Sequence, residues 1–222
     1  MLTQENCAMK PILYSYFRSS CSYRVRIALN LKNISYEYRP VHLLQNGGQQ
    51  HQENYRTLNP MGQVPLFVDN KFAVSQSMAI MEYLELKFPD YKIFPSDSLD
   101  RVTAIELCEL INTGIQPLQN LSVIQKIKQD YCNEERVNKE WTVYWIEKGL
   151  SAFEKKINRS AREYCLGKRP GVVDCFLIPQ VFTALRFEMN LNQYPLIKTV
   201  YKNCMQMEAF QKAAPENQPD AQ

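Results

Sequence analysis

Ser19, Ser20, Cys21 and Ser22 place three hydroxyls and a thiol in one run of four residues. The run lies between a short apolar and aromatic stretch, residues 12–17, and a helical pattern that continues to about Lys32. The start of a helix carries unpaired N–H groups and the positive end of the helix dipole, which together favour an anion. Taken alone, the run reads first as structure, with Ser19 or Ser20 capping the helix and Cys21 filling a small gap. Two other stretches shift the balance. Gln63-Val64-Pro65 opens a strand, where proline is tolerated chiefly at the first residue. A cis Val64–Pro65 bond would turn the N–H and C=O of Val64 toward an extended peptide. Gln76-Ser77 begins the next helix, a second anion site suited to the terminal carboxylate of a peptide. A site beside a thiol, a site for main-chain pairing and a site for a carboxylate together describe a pocket for glutathione.

The elements that must position these residues alternate. A strand at 12–17 is followed by a helix to about Lys32, with Val25, Ala28 and Leu29 inward, and by a strand at 36–43. Gly47-Gly48 leads to a short helical piece and the turn Asn59-Pro60-Met61-Gly62. Residues 65–69 and 72–75, parted by Asn70-Lys71, form a hairpin, and a helix over 76–88 buries Met78, Ile80, Met81 and Leu84. The order βαβαββα is that of the thioredoxin fold. Pro89 and residues 95–98 form a linker. Beyond it the pattern is helical, with Ile105, Cys108, Ile111 and Ile115 on one stripe, Trp141, Trp145, Gly149 and Ala152 on a second, and Leu177, Val181, Ala184 and Leu185 on a third. The expected architecture is an α/β domain over 10–90 and an all-α domain over 98–213, with the polar tail after Ala214 disordered.

Apolar residues at 45% and charged residues at 22% are the balance of an ordinary globular protein. A net charge of +3, spread along the chain, predicts no nucleic-acid partner. Seven dispersed cysteines with only His42 and His51 beside them predict no metal site and no disulfide framework. They suit a reducing, cytoplasmic setting. No apolar run approaches the length of a membrane span, and the residues before Met9 read as a dispensable extension without a signal-peptide core.

Four segments, KPILYSYFRSSCSYRVRIAL, NPMGQVP, QSMAIMEYLE and GIQPLQNLS, together resemble the zeta class of glutathione transferases. The resemblance runs from about residue 10 to residue 210 and returns in YCLG, LIPQV, ALRF and the closing QPD of residues 218–220. It implies glutathione as cofactor, with Ser19 beside its sulfur and Ser20 and Cys21 sharing the catalytic position. Ser22, Tyr23, Arg24, Gln50, Val64, Pro65, Gln76 and Ser77 would line the rest of the cofactor site, joined by Gln116, Asn120, Leu121 and Ser122 from the helical domain. Arg186 would meet the carboxylate of a small-molecule maleyl diacid, assisted by Arg24. The implied reaction is the cis–trans isomerisation of maleylacetoacetate to fumarylacetoacetate in phenylalanine and tyrosine breakdown. Thiolate addition, bond rotation and elimination would accomplish it. The resemblance further implies transfer of glutathione to small α-halo acids, and a homodimer. A general transferase or peroxidase of altered range, and a non-catalytic glutathione-binding protein, are the alternatives. The chain departs from the class at Tyr23 (usually Trp), Leu66 (usually Thr or Ser), Gly171 (a Ser or Thr cap), Lys168 (an acidic residue) and the more charged stretch 126–139.

The proposed chemistry needs little apparatus. Lowering a thiol from a pKa of ~8.5 by ~2 units requires ~2.7 kcal/mol of preference for the anion. One hydroxyl donating to a charged acceptor contributes ~1.5–3 kcal/mol and a helix N-terminus ~0.3–1. Ser19 and its helix are therefore enough, without a cation or a metal.

Overall fold

A strand of only four residues gains stability through its neighbours. β1, Ile12–Ser15, has one on each side. The computed structural model describes residues 10–131 and 135–221. They fall into a first unit that runs to Pro89 and includes the segment from Lys212 onward, and a second unit, Asp90–Gln211.

In the first unit β1 is followed by α1 (Ser20–Leu31), β2 (Glu37–Pro40), α2 (Glu53–Leu58), β3 (Leu66–Asp69), β4 (Phe72–Ser75) and α3 (Ser77–Lys87). The sheet order is β2-β1-β3-β4, with β1 parallel to β2 and antiparallel to β3. A parallel pair needs a crossover, and α1 supplies it. β3 and β4 pair as the expected hairpin, with Asn70 at φ 55° in its turn. Leu13, Val25, Ala28, Leu29, Phe67 and Leu84 are fully buried. Met78, expected inward on α3, is only half-buried, while Ile80 and Met81 are buried. The thioredoxin-like order read from the sequence is the order observed.

The second unit contains α4 (Ser98–Gly114), α5 (Leu121–Asp130), α6 (Glu135–Ile157), α7 (Val172–Arg186) and α8 (Pro195–Cys204), and α9 (Glu208–Ala213) leads back to the first. Asp97 caps α4 by accepting from the N–H groups of Leu99 at 2.9 Å and Asp100 at 3.0 Å. The inward face of α6 is Thr142, Ile146, Gly149, Leu150 and Phe153, not the expected stripe of Trp141, Trp145, Gly149 and Ala152. Trp141 is 36% exposed, its Nε1 donating to the carbonyl of Leu118 at 2.8 Å. The large rings stack edge-to-face on one another along the flank of the helix, while smaller side chains meet the core. On α4, Ala104 and Leu107 lie inward with Cys108 and Ile111, and Ile105 is half-buried. Every residue of α7 from Val172 to Val181 is buried, so it has no single stripe, and Leu185 is 40% exposed.

Two expectations need correction. Gly171 is not a weakened version of a serine cap. A Cβ there would stand 2.7 Å from the carbonyl oxygen of Ile93, which accepts the N–H of Val172 at 2.8 Å. The backbone is too close for any side chain. Gly171→Ser is expected to lower the free energy of unfolding by about 1–3 kcal/mol despite serine's better capping, as read from urea titration. Nor is the segment after Ala214 disordered. Pro215–Asn217 forms a 3-10 turn, and the amide of Gln218 donates to the carbonyls of Lys212 and Ala214, each at 2.8 Å. Asp220 accepts from the N–H of Phe17 at 3.1 Å and from the hydroxyl of Tyr38 at 2.6 Å. Gln218 and Asp220 are polar because they bond to the chain, while Glu216 and Asn217 are exposed.

Candidate active site

The turn between β1 and α1 presents the serine run. Ser19 is the N-cap of α1 (φ −68°, ψ 115°), and its Oγ accepts the N–H of Ser22 at 3.1 Å. Accepting uses one lone pair of the hydroxyl and leaves its proton free to donate. Ser20 and Cys21 are the first two residues of α1, half-buried like Ser19. Cys21 is a free thiol. Ser22, Tyr23 and Arg24 are buried at 0%, 1% and 0% exposure. Their side chains are packed behind the turn. Arg24 acts from below, its Nη1 donating to Ser77 Oγ at 3.0 Å.

The Val64–Pro65 bond is cis, and β3 begins only at Leu66, so the Val64 main chain lies outside the paired residues of the ladder. Ahead of it, the carbonyl of Gln63 is held by the Tyr55 hydroxyl and the Asn59 amide, both at 2.7 Å. Gln76, not Ser77, is the N-cap of α3, and it makes no side-chain capping bond. The first turn of α3 is therefore left without a side-chain acceptor, while a buried guanidinium lies under Ser77. Both favour an anion. Gln76 sits at φ 70°, ψ 117°, a conformation costly for a residue with a side chain and often found at functional sites. Gln76→Gly is expected to raise stability by about 1 kcal/mol and to weaken glutathione binding. Thermal unfolding with and without glutathione measures both.

Gln50 is 7% exposed. Its Nε2 donates to the carbonyl of Leu43 at 3.2 Å and lies 3.1 Å from Nε2 of His51, while its buried Oε1 has no partner within the structure. Gly48 makes room for this amide, since a Cβ at its φ of +92° would stand 2.6 Å from Gln50 Nε2. Neither Gly48 nor His51 was singled out in the sequence as part of the site, although the double glycine marked a special backbone there.

In the second unit Gln116 opens the 3-10 turn Gln116–Gln119 after α4. Asn120 caps α5, its Oδ1 accepting the N–H of Ser122 at 3.0 Å and its hydroxyl at 2.9 Å, and Leu121 is the first helical residue. Arg186 is the exposed last residue of α7. The residues after it help to line a cleft of about 360 Å³ with Lys139, Val143, Phe187, Glu188 and Met189. The Lys139–Glu188 ion pair in its lining, at 2.9 Å, holds the Glu188 carboxyl below the ordinary range, chiefly by its hydrogen bond. Cys132 and Cys7 lie outside the described residues. Among the described residues no group of His, Cys, Asp and Glu could hold a metal ion, and no helix is long and apolar enough to cross a membrane.

The family model for the glutathione S-transferase N-terminal domain matches residues 9–85. Over 212 residues the chain is 45% identical to the probable maleylacetoacetate isomerase 2 of Drosophila melanogaster, covering 96% of this chain and 91% of the relative. It is 41% identical to a zeta class glutathione S-transferase of Euphorbia esula, over 94% of this chain and 92% of the relative. This chain belongs to the zeta class of glutathione transferases. The solved maleylacetoacetate isomerase of Anaeromyxobacter dehalogenans with glutathione bound in its active site superposes with a TM-score of 0.86, at 37% identity over 97% of this chain and 99% of that one. As a zeta-class transferase the chain keeps the serine run, the Val64–Pro65 turn and the Gln76-Ser77 helix start on one thioredoxin-like unit.

Proposed function

We propose that this protein catalyses the glutathione-dependent cis–trans isomerisation of maleylacetoacetate to fumarylacetoacetate, a step of phenylalanine and tyrosine breakdown. The residues fit the cofactor. The orphaned Oε1 of Gln50 needs a donor, which a peptide's N–H or ammonium group provides. The uncapped start of α3 suits a carboxylate. The observation that carries the assignment is Ser19, whose Oγ accepts from Ser22 and keeps its own proton to donate at the helix N-terminus.

When bound, glutathione would supply a thiolate that can add reversibly to the cis double bond, the displaced electron pair resting on the conjugated carbonyl oxygen, so that the interim single bond can rotate before the pair returns and the thiolate is released. Ser19 donates a hydrogen bond that favours the anionic sulfur, with α1 adding its dipole. Ser20 and Cys21 flank that position. Gln50, Val64, Pro65, Gln76 and Ser77 hold the peptide, and Arg24 braces Ser77. Gln116, Asn120, Leu121 and Ser122 are proposed as further cofactor contacts. Arg186 is proposed to pair with the substrate's carboxylate. The same thiolate site serves small α-halo acids. A cytoplasmic homodimer is the proposed form; the free cysteines among the described residues fit the reducing compartment, and the family resemblance carries the dimer.

The test is the ultraviolet absorbance change of maleylacetone with purified protein. Conversion only in the presence of glutathione is the expected result. Retention on a glutathione column without conversion would instead assign a transferase of altered range, with the charged stretch 126–139 as the changed part.

A further inference from the structure

The turn that carries Ser19 is held from outside its own strand and helix. Three of its main-chain groups are secured by side chains. The Phe17 N–H donates to Asp220 Oδ2 at 3.1 Å, the Phe17 carbonyl accepts from Arg26 Nη2 at 3.0 Å, and the Tyr16 carbonyl accepts from Arg26 Nη1 at 3.4 Å. That same Tyr16 carbonyl receives the N–H of Ser19 at 2.9 Å. Arg26 is fully buried and also binds Ser15 Oγ at 3.1 Å and the carbonyl of Ala213 at 2.9 Å. The second oxygen of Asp220 takes the Tyr38 hydroxyl at 2.6 Å. Ala221 packs against the cluster of Tyr16, Phe17 and Val64. The segment 212–221 thus meets the turn directly at its N–H side, through Asp220, and at its carbonyl side through Arg26.

We propose that Asp220, seated by Tyr38 and by the docking of segment 212–221, is a positioning residue that fixes the 15–19 turn and through it the direction of the Ser19 hydroxyl. An N–H bonded to a carboxylate is held more strongly than one bonded to a neutral acceptor, and its partner is anchored in turn. Ser19 lies two residues beyond this anchor, so slack at Phe17 passes to the hydroxyl through a single turn. A displacement on the order of 1 Å is enough to cost a catalytic group as much as ~10²-fold in rate.

The test compares wild type with Asp220→Ala, Asp220→Asn and Tyr83→Phe. The last removes the Tyr83–Asp69 hydrogen bond (2.6 Å) near the hairpin and serves as a control of similar stability loss that leaves the turn intact. Two quantities are measured well below the unfolding midpoint of each variant, amide hydrogen exchange over residues 15–23 and turnover of maleylacetone with glutathione. In Asp220→Ala, exchange over 15–23 is expected to quicken while that of β3 and β4 does not, and kcat to fall about 10-fold with the KM for glutathione little changed. Asp220→Asn, which keeps an acceptor, should lose less, and Tyr83→Phe should move neither quantity. Unchanged exchange in Asp220→Ala overturns the proposal. So does quickened exchange with unchanged kcat. The kinetic measurement rests on the activity proposed above, whereas the exchange measurement does not. If wild type itself turns over no maleylacetone, that activity fails, and exchange alone decides whether Asp220 anchors the turn.

Discussion

Ser19→Ala is expected to bind glutathione with little loss and to isomerise maleylacetone about 10²-fold more slowly. The hydroxyl is one donor to one developing anion, worth ~1.5–3 kcal/mol, and a factor of ten in rate corresponds to ~1.36 kcal/mol. Binding survives because the peptide contacts proposed for Gln50, Val64, Gln76 and Ser77 lie elsewhere on the unit. The substitution also removes the cap of α1, since Ser19 Oγ accepts from Ser22 N. That loss costs ~1 kcal/mol of stability and not of catalysis. Ser19→Thr separates the two effects, because threonine retains both the cap and the donor and should restore most of the rate. The absorbance of the bound thiolate, followed against pH, gives the same answer without substrate. In Ser19→Ala the bound thiol should ionise at higher pH. Turnover equal to wild type would remove Ser19 from the chemistry and turn attention to Cys21, half-buried two residues further on.

The α/β part was legible because local signals agreed with tertiary ones. Asn70-Lys71 separates two short β runs and forms the hairpin turn, and the serine at the helix start is the cap. Pro65 sits one residue ahead of β3, after a cis bond. Legibility ended where a side chain's role depends on residues distant in sequence. Nothing about Arg24 by itself says that it is buried against Ser77, 53 positions away. Gly171 looked like a cap only slightly weaker than serine because the obstructing atom, the carbonyl of Ile93, belongs to another part of the chain. The segment after Ala214 looked disordered because composition records polarity and not the partner that satisfies it. On α6 the tryptophans were placed on the stripe by their spacing, whereas aromatic rings with a polar edge often sit at the margin of a core. Trp141 does so by giving its N–H to Leu118.

The largest effect on folding is expected from Asp174→Ala. Asp174 lies in the first turn of α7 with 1% exposure. Its carboxylate accepts from the N–H of Gly171 at 2.8 Å and from the N–H of Cys165 at 2.9 Å. The first of these is the half of a capping box that survives without a serine, and the second ties the preceding loop to the helix. Alanine would leave one buried and one part-buried N–H group without acceptors, at up to about 1–3 kcal/mol each, and a small cavity besides. A loss of about 3–5 kcal/mol is a large share of the 5–15 kcal/mol that holds a typical domain, so the variant should be recovered poorly and unfold at much lower urea. Asp174→Asn keeps one acceptor and should lose less. The pH dependence has a definite sign. Burial is the foremost influence on this carboxyl and raises its pKa above the ordinary value, against the hydrogen bonds from Cys165 and Gly171, which lower it. A group that holds its proton more tightly when folded contributes most below its unfolded pKa, and that contribution fades as pH rises through the folded pKa. Wild type should therefore carry a downward slope of stability above about pH 4 that Asp174→Asn, having nothing to titrate there, lacks. A difference between the two that does not change with pH would mean that Asp174 is held as readily charged as neutral, its N–H donors offsetting its burial.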